Sequence, residues 1–538
     1  VRIALIQRDL TLNDHAAAAR ALVADAAAAR AAGADLAVFP ECFAFGGYPP
    51  RDLVERPWLV ERQWQALHAA ASQVALPCIV GCVEPLDGGA PRLANSAAVL
   101  DGGRVTATAR KRRLPQDDVF DDMRHFRPGE GPAVVELLGR RIGLTVCEDI
   151  WTGRWSARSD GPDPVADLAG RCDLVVNVSA SPFHQGKWSV RRALLAEVAG
   201  RLGCPIVYAN QVGAHDELLF DGGSCVVRAD GSFAGAAGRW SEGVTVVDLA
   251  ASVPAPADAE PLTDLHAALV TGIRSYCAKT HQHRVVLGLS GGIDSALVAA
   301  LAVDALGAAN VTGLLMPGPY SSRGSVIDAL ALADALGIRR EQMAINRAVD
   351  VMLSELDPLG EPKGLMAENI QSRLRGTLVM AAANQLGAMA LTTGNKSEIA
   401  CGYCTIYGDM NGGLAPIGDL YKTEVWALSR HLNAVAGRER IPTASIEKAP
   451  SAELRENQTD QDSLPPYDVL DRILRQYLED GRSPAQIVES GEDPAVVGQV
   501  VRLVELNEFK RRQGAPILRV SRKAFGVGRR MPVARWLG

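Results

Sequence analysis

No stretch of the sequence approaches the ~20 consecutive apolar residues that a membrane helix needs, and no secretory leader is visible. A cytoplasmic chain with no membrane partner is therefore expected. Positive charge is not in excess: 56 Lys and Arg stand against 62 Asp and Glu, a net charge of −6. A general nucleic-acid binder needs a basic surface, so no nucleic-acid partner is expected. The ten cysteines contain a single CxxC, Cys401 and Cys404, with no second pair or HxxxH to complete four zinc ligands. The others lie in apolar settings such as "PCIVGC" and read as buried, reduced thiols. There is no internal repeat.

What is present is an ordinary globular composition: 538 residues, 47% hydrophobic and 22% charged. That length exceeds one hydrophobic core, so two or three domains are expected. Residues 1–250 alternate short apolar, β-branched runs with longer helical or loop stretches. The strand candidates are "RIALIQ" (2–7), "DLAVFPE" (35–41), "PCIVGCVE" (77–84), "RIGLTVCED" (141–149), "CDLVVNVSAS" (172–181) and "CPIVYANQVG" (204–213). An alanine-rich helix ended by glycine separates the first two. A Pro/Ala/acid stretch at 251–262 reads as a linker. In 263–538 strand and helix alternate, through "RVVLGLS", "VTGLLMP" (311–317), a helix in 321–338, "EQMAINRA" (341–348), a long helix near 366–387 and "AMALTTGN" (388–395). This pattern predicts an α/β domain with a doubly wound parallel sheet. Residues 440–538 read as polar and helical with a basic end.

Three polar residues end or follow apolar runs in the first half: Glu41 in "VFPEC", Lys111 in "TARKRRLP" and Cys147 in "LTVCEDIW". A cysteine nucleophile needs a base, a cation or backbone donors for the developing oxyanion, and a site closed to water. Glu and Lys supply the first two without a histidine. Each residue alone is weak, since a lone cysteine is more often a packing residue and a lysine in "RKRR" a solvated charge. Their order and their contexts, "PE", "K-x-x-L-P" and "C-E-D", together resemble the nitrilase superfamily. The resemblance implies an αββα sandwich and amide hydrolysis through a thioester at Cys147. It makes Glu41 the general base and Lys111 the stabiliser of the tetrahedral intermediate. The K-x-x-L-P register selects Lys111 over Arg112 and Arg113.

Members of that superfamily often carry a second Glu between the Lys and the Cys. Here "VFDDMRHFRPG" puts Asp122 at that place. Its side chain is one methylene shorter, so a hydrogen bond to Lys111 requires a backbone adjustment, and a supporting role is left open. The stretches "NVSASPFHQGKW" (177–188) and "YANQVGAHDELLFDGGS" (208–224) read alone as connecting loops. They resemble the glutaminase domain of one nitrilase branch, which implies a glutamine pocket holding Ser179, Ser181 and Lys187.

In the second half "LSGGIDS" joins an apolar strand to a helix. No Gly-Lys-Ser/Thr follows, so this is not a Walker-type loop. The turn still aims backbone N–H groups and a helix dipole at an anion. Gly291 and Gly292 make the turn, Ser290 and Ser295 add hydroxyls, and Asp294 can face a phosphate only across a metal ion. A plain turn with Asp and Ser as cap residues is the bland alternative. The full S-G-G-x-D-S resembles the pyrophosphatase loop of the N-type ATP-pyrophosphatases, which cleave ATP to AMP and pyrophosphate.

Further motifs choose within that class: "NIQSRLRG" (369–376), "LTTGNKSEIACGYCTIYGDMNGGLAPIGDLYKTEVW" (391–426), "ELRENQTDQDSLPPYDVLD" (453–471) and "NEFKRRQGAPILRVSRKAFGVGRRMP" (507–532). Over nearly the whole chain the combination resembles the glutamine-dependent NAD synthetase family. The resemblance implies ATP and Mg²⁺ as cofactors, with Asp294 and Glu398 as the metal acids and Thr393 on the ATP path. It implies substrate-side roles for Asn369, Arg373, Arg375, Asp409, Lys422 and Lys510. For Asn369, Arg373 and Arg375 a solvated helix face is the live alternative, and for the basic end that Lys510 opens, a solvated tail or a nucleic-acid patch. The substrates implied are deamido-NAD⁺, ATP and glutamine, with ammonia passing between sites, in a homo-oligomer.

Overall fold

The computed structural model describes residues 1–88, 91–155 and 161–536. The chain forms two compact units, Val1–Ala259 and Glu260–Gly538. Residues 537 and 538 of the expected second domain lie outside the described residues.

Unit 1 contains two six-stranded sheets. The first runs in the order Gly243–Asp248, Arg2–Gln7, Leu36–Val38, Cys78–Pro85, Leu93–Asp101, Arg104–Arg110. The second runs Phe233–Ala236, Cys225–Val227, Ile206–Asn210, Leu174–Ser179, Arg140–Val146, Ala133–Leu137. In each sheet three central strands are parallel, with Ile3 opposite Leu36, Ala37 opposite Cys78, Ile142 opposite Leu174 and Val175 opposite Ile206. Side chains alternate between faces, and both faces are buried, which is why these strands read as continuous apolar runs. Ile3, Leu5, Leu36 and Val38 share a core with Leu144, Leu174, Val176 and Val207 of the other sheet. Ala4, Ile6 and Ala37 turn outward onto Leu22, Ala26 and Leu67 of the helices His15–Ala31 and Pro57–Ala71. Val175, Ile206 and Tyr208 turn outward onto Leu194, Val198 and Leu202 of the helix Lys187–Leu202. The layers are thus helix, sheet, sheet, helix.

The six strand candidates all contain strands, but several others escaped the pattern. Leu93–Asp101, "LANSAAVLD", holds one β-branched residue and three alanines, and gains its strand conformation from pairing with Cys78–Pro85 and Arg104–Arg110. The candidate 141–149 ends early: the strand stops at Val146, and Cys147–Ile150 forms a 3₁₀ turn.

In unit 2 the helix Pro261–Lys279, capped by Glu260, takes in the last two residues of the expected linker. Four parallel strands follow in the order Arg339–Gln342, Val311–Leu315, Val285–Gly288, Met389–Ala390. Ile293–Leu306 packs with Pro261–Lys279 and Lys422–Ala436, while Leu365–Leu386 packs with Asn346–Glu355 and the strand Val285–Gly288. Val286, Leu314, Val349, Val379 and Ala390 form the core under the long helix. "EQMAINRA" is only partly strand: its first two residues close an exposed edge strand, and a helix starts at Asn346. The C-terminal stretch is helical to Arg511 and not beyond it among the described residues. Leu518 and Val520 are nevertheless fully buried, so this segment is packed structure and not a polar tail.

Candidate active site

In unit 1 the ends of parallel strands from both sheets deliver the polar residues. Glu41 follows Leu36–Val38, Cys147 follows Arg140–Val146, and Ser179 ends Leu174–Ser179. Glu41 and Lys111 are fully buried, and Lys111 Nζ lies 2.8 Å from Glu41 Oε1. The same ammonium donates to Asp122 Oδ2 at 2.7 Å, so the shorter acid does reach it. Asp122 opens a one-turn helix, Asp122–His125. Tyr48 Oη donates to the other Asp122 oxygen at 2.9 Å. Asn95 Nδ2 and the Ala180 amide donate to the two Glu41 oxygens at 2.7 and 2.9 Å. Burial opposes the Lys111 charge, but Asp122, Glu41 and Cys147 outweigh it and hold Lys111 well above the ordinary lysine value.

Cys147 opens the turn in the left-handed region at φ 43° and is buried. Burial and then the Glu41 charge push its thiol well up, and Lys111 pulls part of the way back. The resting nucleophile is a thiol, and a base must remove its proton at the moment of attack. Asp149 fixes the geometry: it accepts from Val146 N at 3.0 Å and from the Arg112 and Arg113 amides at 2.9 and 2.8 Å. One carboxylate thereby ties the cysteine turn to the segment that follows Lys111. Glu148 is pushed up to about 7 by burial, against the pull of Lys111 and Lys187. Gly81 lies under Glu41; a Cβ there would come within 2.2 Å of the Pro40 carbonyl.

The three expected glutamine-pocket residues differ in their freedom. The Ser179 hydroxyl is fully buried and donates to Asn177 Oδ1 at 2.6 Å. Ser181 is buried too, and its amide donates to Asn210 Oδ1 at 2.9 Å. Lys187 opens its helix with its ammonium 4.0 Å from the Trp151 ring centre. Asn95, Tyr48, Glu148 and Asp149 were not singled out by the sequence. Only Glu148 and Asp149 carried a local signal, as the last two residues of "CED".

In unit 2 the strand Val285–Gly288 runs into the turn and the helix Ile293–Leu306. Gly291 has φ +79°, and a Cβ on it would lie 2.2 Å from the Ser325 carbonyl oxygen, so both backbone and space require glycine. The Gly292 amide donates to Ser290 Oγ at 3.2 Å, and Ser295 Oγ donates to the Gly292 carbonyl at 3.0 Å. Asp294 and Glu398 come together on one ammonium: Lys422 Nζ is 2.5 Å from Asp294 and 3.1 Å from Glu398. Asn395 links them further, donating to Asp294 at 2.9 Å and accepting from the Glu398 amide at 3.0 Å in a capping box. Burial is the main cause that pushes Glu398 up to about 8; Lys422 lowers it, and Asp294 and Asp460 add to the rise.

These groups line a cavity of about 630 Å³. Ser290, Gly292, Asp294, Ser295, Thr393, Asn369, Arg375, Glu398, Asp409, Lys422 and Lys510 all reach its wall. Arg373 does not. It lies one residue, about 100° of helix turn, beyond Ser372, and is exposed with its Nε on the Ile406 carbonyl at 3.3 Å. Both the substrate-side role and the solvated-face alternative stay open for Arg373. Asn369 accepts from Thr405 Oγ1 at 2.9 Å, and Asp409 accepts from the Thr405 amide at 2.6 Å. Lys510 is no solvated tail: its ammonium donates to the Gly402 and Cys404 carbonyls at 2.7 and 2.9 Å. Asp460, which the sequence reading passed over, is buried on the same wall with one oxygen bonded to Tyr467 Oη at 2.7 Å.

Comparison with known proteins agrees with both halves. The carbon-nitrogen hydrolase family matches residues 2–256, and the NAD synthase family matches residues 265–514. A glutamine-dependent NAD(+) synthetase of Synechocystis sp. is 43% identical, covering 99% of this chain and 98% of that protein. One of Xanthomonas campestris is 45% identical, covering 93% and 91%. The solved structure of the glutamine-dependent NAD+ synthetase from Acinetobacter baumannii, in complex with ADP, matches with a TM-score of 0.78 at 37% identity, covering 99% of this chain and 98% of that one. The structure of one from Cytophaga hutchinsonii shares the fold, with a TM-score of 0.85 at 21% identity, covering 99% of this chain and 97% of that one. With both halves matched and the relatives aligned nearly end to end, the chain belongs to the glutamine-dependent NAD(+) synthetase family.

Proposed function

We propose that this chain hydrolyses glutamine in unit 1 and spends the ammonia in unit 2 on the ATP-dependent amidation of deamido-NAD⁺ to NAD⁺. In unit 1 Glu41 takes the Cys147 proton as Sγ attacks the side-chain amide carbon of glutamine. Lys111 faces the oxyanion that forms, where a fixed cation acts only as charge develops. Collapse breaks the C–N bond, ammonia leaves with the proton from Glu41, and water then cleaves the thioester to glutamate. Asp122 and Tyr48 hold Lys111 in place.

In unit 2 the nicotinate carboxylate oxygen attacks the α-phosphorus of ATP. The bond from that phosphorus to the β-phosphate bridge breaks, and pyrophosphate leaves over the glycine turn. Ammonia attacks the carbonyl carbon of the adenylate, AMP leaves, and one proton is released. Asp294 and Glu398 are the residues that would hold Mg²⁺, which supplies charge neutralisation to the phosphates when bound. Their fit is electrostatic: three buried or half-buried carboxylates, Asp294, Glu398 and Asp460, face one ammonium, that of Lys422. Hard oxygen donors with a negative excess suit a hard divalent cation. Thr393, Asn369, Arg373, Arg375, Asp409, Lys422 and Lys510 are offered as the ATP and dinucleotide contacts, and Lys187 as a glutamine contact. Cytoplasmic location and a homo-oligomer are carried over from the family resemblance.

The observation that carries this reading is the assembly of Glu41, Lys111 and Asp122 into one buried chain of hydrogen bonds behind Cys147. The test measures NAD⁺ from deamido-NAD⁺, ATP and Mg²⁺ with glutamine or with ammonium. The native chain uses both, and Cys147→Ala uses ammonium alone. Glutamine hydrolysis without NAD⁺ from either source overturns the synthetase assignment.

A further inference from the structure

The glycine turn has no lysine of its own, yet a leaving pyrophosphate gains negative charge as it departs. Among the described residues four cations line the cavity: Arg375, Lys422, Lys448 and Lys510. Three are anchored on protein groups of the wall and are already offered above as ATP and dinucleotide contacts. Lys422 is held between Asp294 and Glu398, Lys510 caps two carbonyls, and Arg375 donates from Nε to the Met316 carbonyl at 3.0 Å.

Lys448 differs. Its ammonium is hydrogen-bonded to Ser325 Oγ and lies 3.3 Å from Glu453 Oε1. Ser325 is the residue whose carbonyl abuts Gly291, so Lys448 is anchored on the wall against which the turn leans. Its side chain keeps 30% of its exposure, toward the cavity it lines. Glu453 does not depend on it. That carboxylate also accepts from Ser325 Oγ at 2.6 Å, Ser322 Oγ at 2.9 Å and the Ser322 amide at 3.2 Å, at the N-cap of the helix Arg323–Leu336. If Lys448 leaves, Glu453 is not stranded.

We propose that Lys448 is the pyrophosphate-gripping cation of unit 2, held in waiting by Glu453 and transferred to a phosphate oxygen when ATP enters. This rests on the reading that the glycine turn holds ATP phosphates. A charge-assisted hydrogen bond to phosphate outweighs the half-exposed pairing it replaces. Because the lysine comes from a separate loop, its grip is made only when the phosphates are present, which places it where charge develops.

The experiment uses the full chain with ammonium as nitrogen source and inorganic pyrophosphate as inhibitor. In Lys448→Met the pyrophosphate inhibition constant and the ATP KM rise about 10- to 100-fold, the range of one charge-assisted hydrogen bond. The deamido-NAD⁺ KM and glutamine hydrolysis stay unchanged, and Lys448→Arg recovers most of the loss. In Glu453→Gln, with the competing charge removed, pyrophosphate inhibits about two- to fivefold more tightly. A Lys448→Met inhibition constant within twofold of native overturns the proposal. If that variant also loses glutamine hydrolysis it is misfolded, and Glu453→Gln decides: unchanged or weaker inhibition overturns the proposal. Failure of the underlying ATP reading is distinct, since the native chain would then make no NAD⁺ from ammonium and show no pyrophosphate inhibition.

Discussion

Replacing Asp122 by Asn keeps the shape of the buried triad and removes one charge. Asp122 accepts from both Lys111 and Tyr48 through its two oxygens. An amide has one oxygen to offer, so one of those donors must face an NH₂ group. At 2.7 Å and an effective dielectric near 20, the Lys111–Asp122 attraction is about 6 kcal/mol. Desolvation of both ions offsets several kcal/mol of that, and breaking a buried pair typically costs about 3–5 kcal/mol. Lys111 keeps Glu41 at 2.8 Å, which places Asp122→Asn at the lower end, about 3 kcal/mol. The loosened lysine lowers the glutamine-hydrolysis kcat by about 100-fold, the loss typical of one oxyanion donor.

The pH dependence follows from Lys111, whose folded-state value lies well above 10.5. A raised group contributes its full stabilisation below its unfolded pKa and loses it as pH rises through the folded one. The stability difference between native and variant therefore stays level from about pH 6 to pH 9 and shrinks only above about 10.5. Pulse proteolysis of the full chain in urea, following fragments of unit 1, reads the stability, and glutamate release reads the rate. An Asp122→Asn chain with native stability and native glutamine hydrolysis would refute the claim that Asp122 shares the catalytic lysine.

Glu148, protonated below and ionised above about 7, gives the native kcat/KM profile for glutamine hydrolysis an inflection near that pH, and Glu148→Gln removes it; a native profile flat across pH 6 to 8 would contradict this. Gly291→Ala forces a left-handed alanine, at about 1–2 kcal/mol, and a Cβ within 2.2 Å of the Ser325 carbonyl; ammonium-dependent NAD⁺ formation falls at least about tenfold while glutamine hydrolysis persists, as parallel assays would reveal. The fully buried Arg191 pairs with Asp221 at 3.0 Å; Arg191→Met destabilises unit 1 by about 3–5 kcal/mol, and adding Asp221→Leu recovers part of it, which urea midpoints of the single and double variants test. Asp294→Asn abolishes NAD⁺ formation from either nitrogen source and leaves glutamine hydrolysis intact; retained synthesis would remove Asp294 from the ATP site.

The sequence by itself determined what depends on neighbours along the chain. Buried parallel strands are apolar runs whatever packs on them, so "RIALIQ" and "VVLG" announced themselves. The turn Ser290–Gly292 and the "CED" elbow are local too, because their geometry is set by a few consecutive residues. What the tertiary structure decided is which distant groups share a charge. Glu41 and Lys111 are 70 residues apart, yet they meet through one ammonium that also takes Asp122. Asn95, on a strand too poor in β-branched residues to be read as one, completes the acid's coordination. Lys422 stands 128 residues from Asp294. On the long helix, Arg375 lines the cavity and Arg373 does not, although both occupy the same motif. That choice is fixed by which side of the helix packs, and hydrogen bonds and ion pairs of such range leave no periodic trace in the chain that makes them.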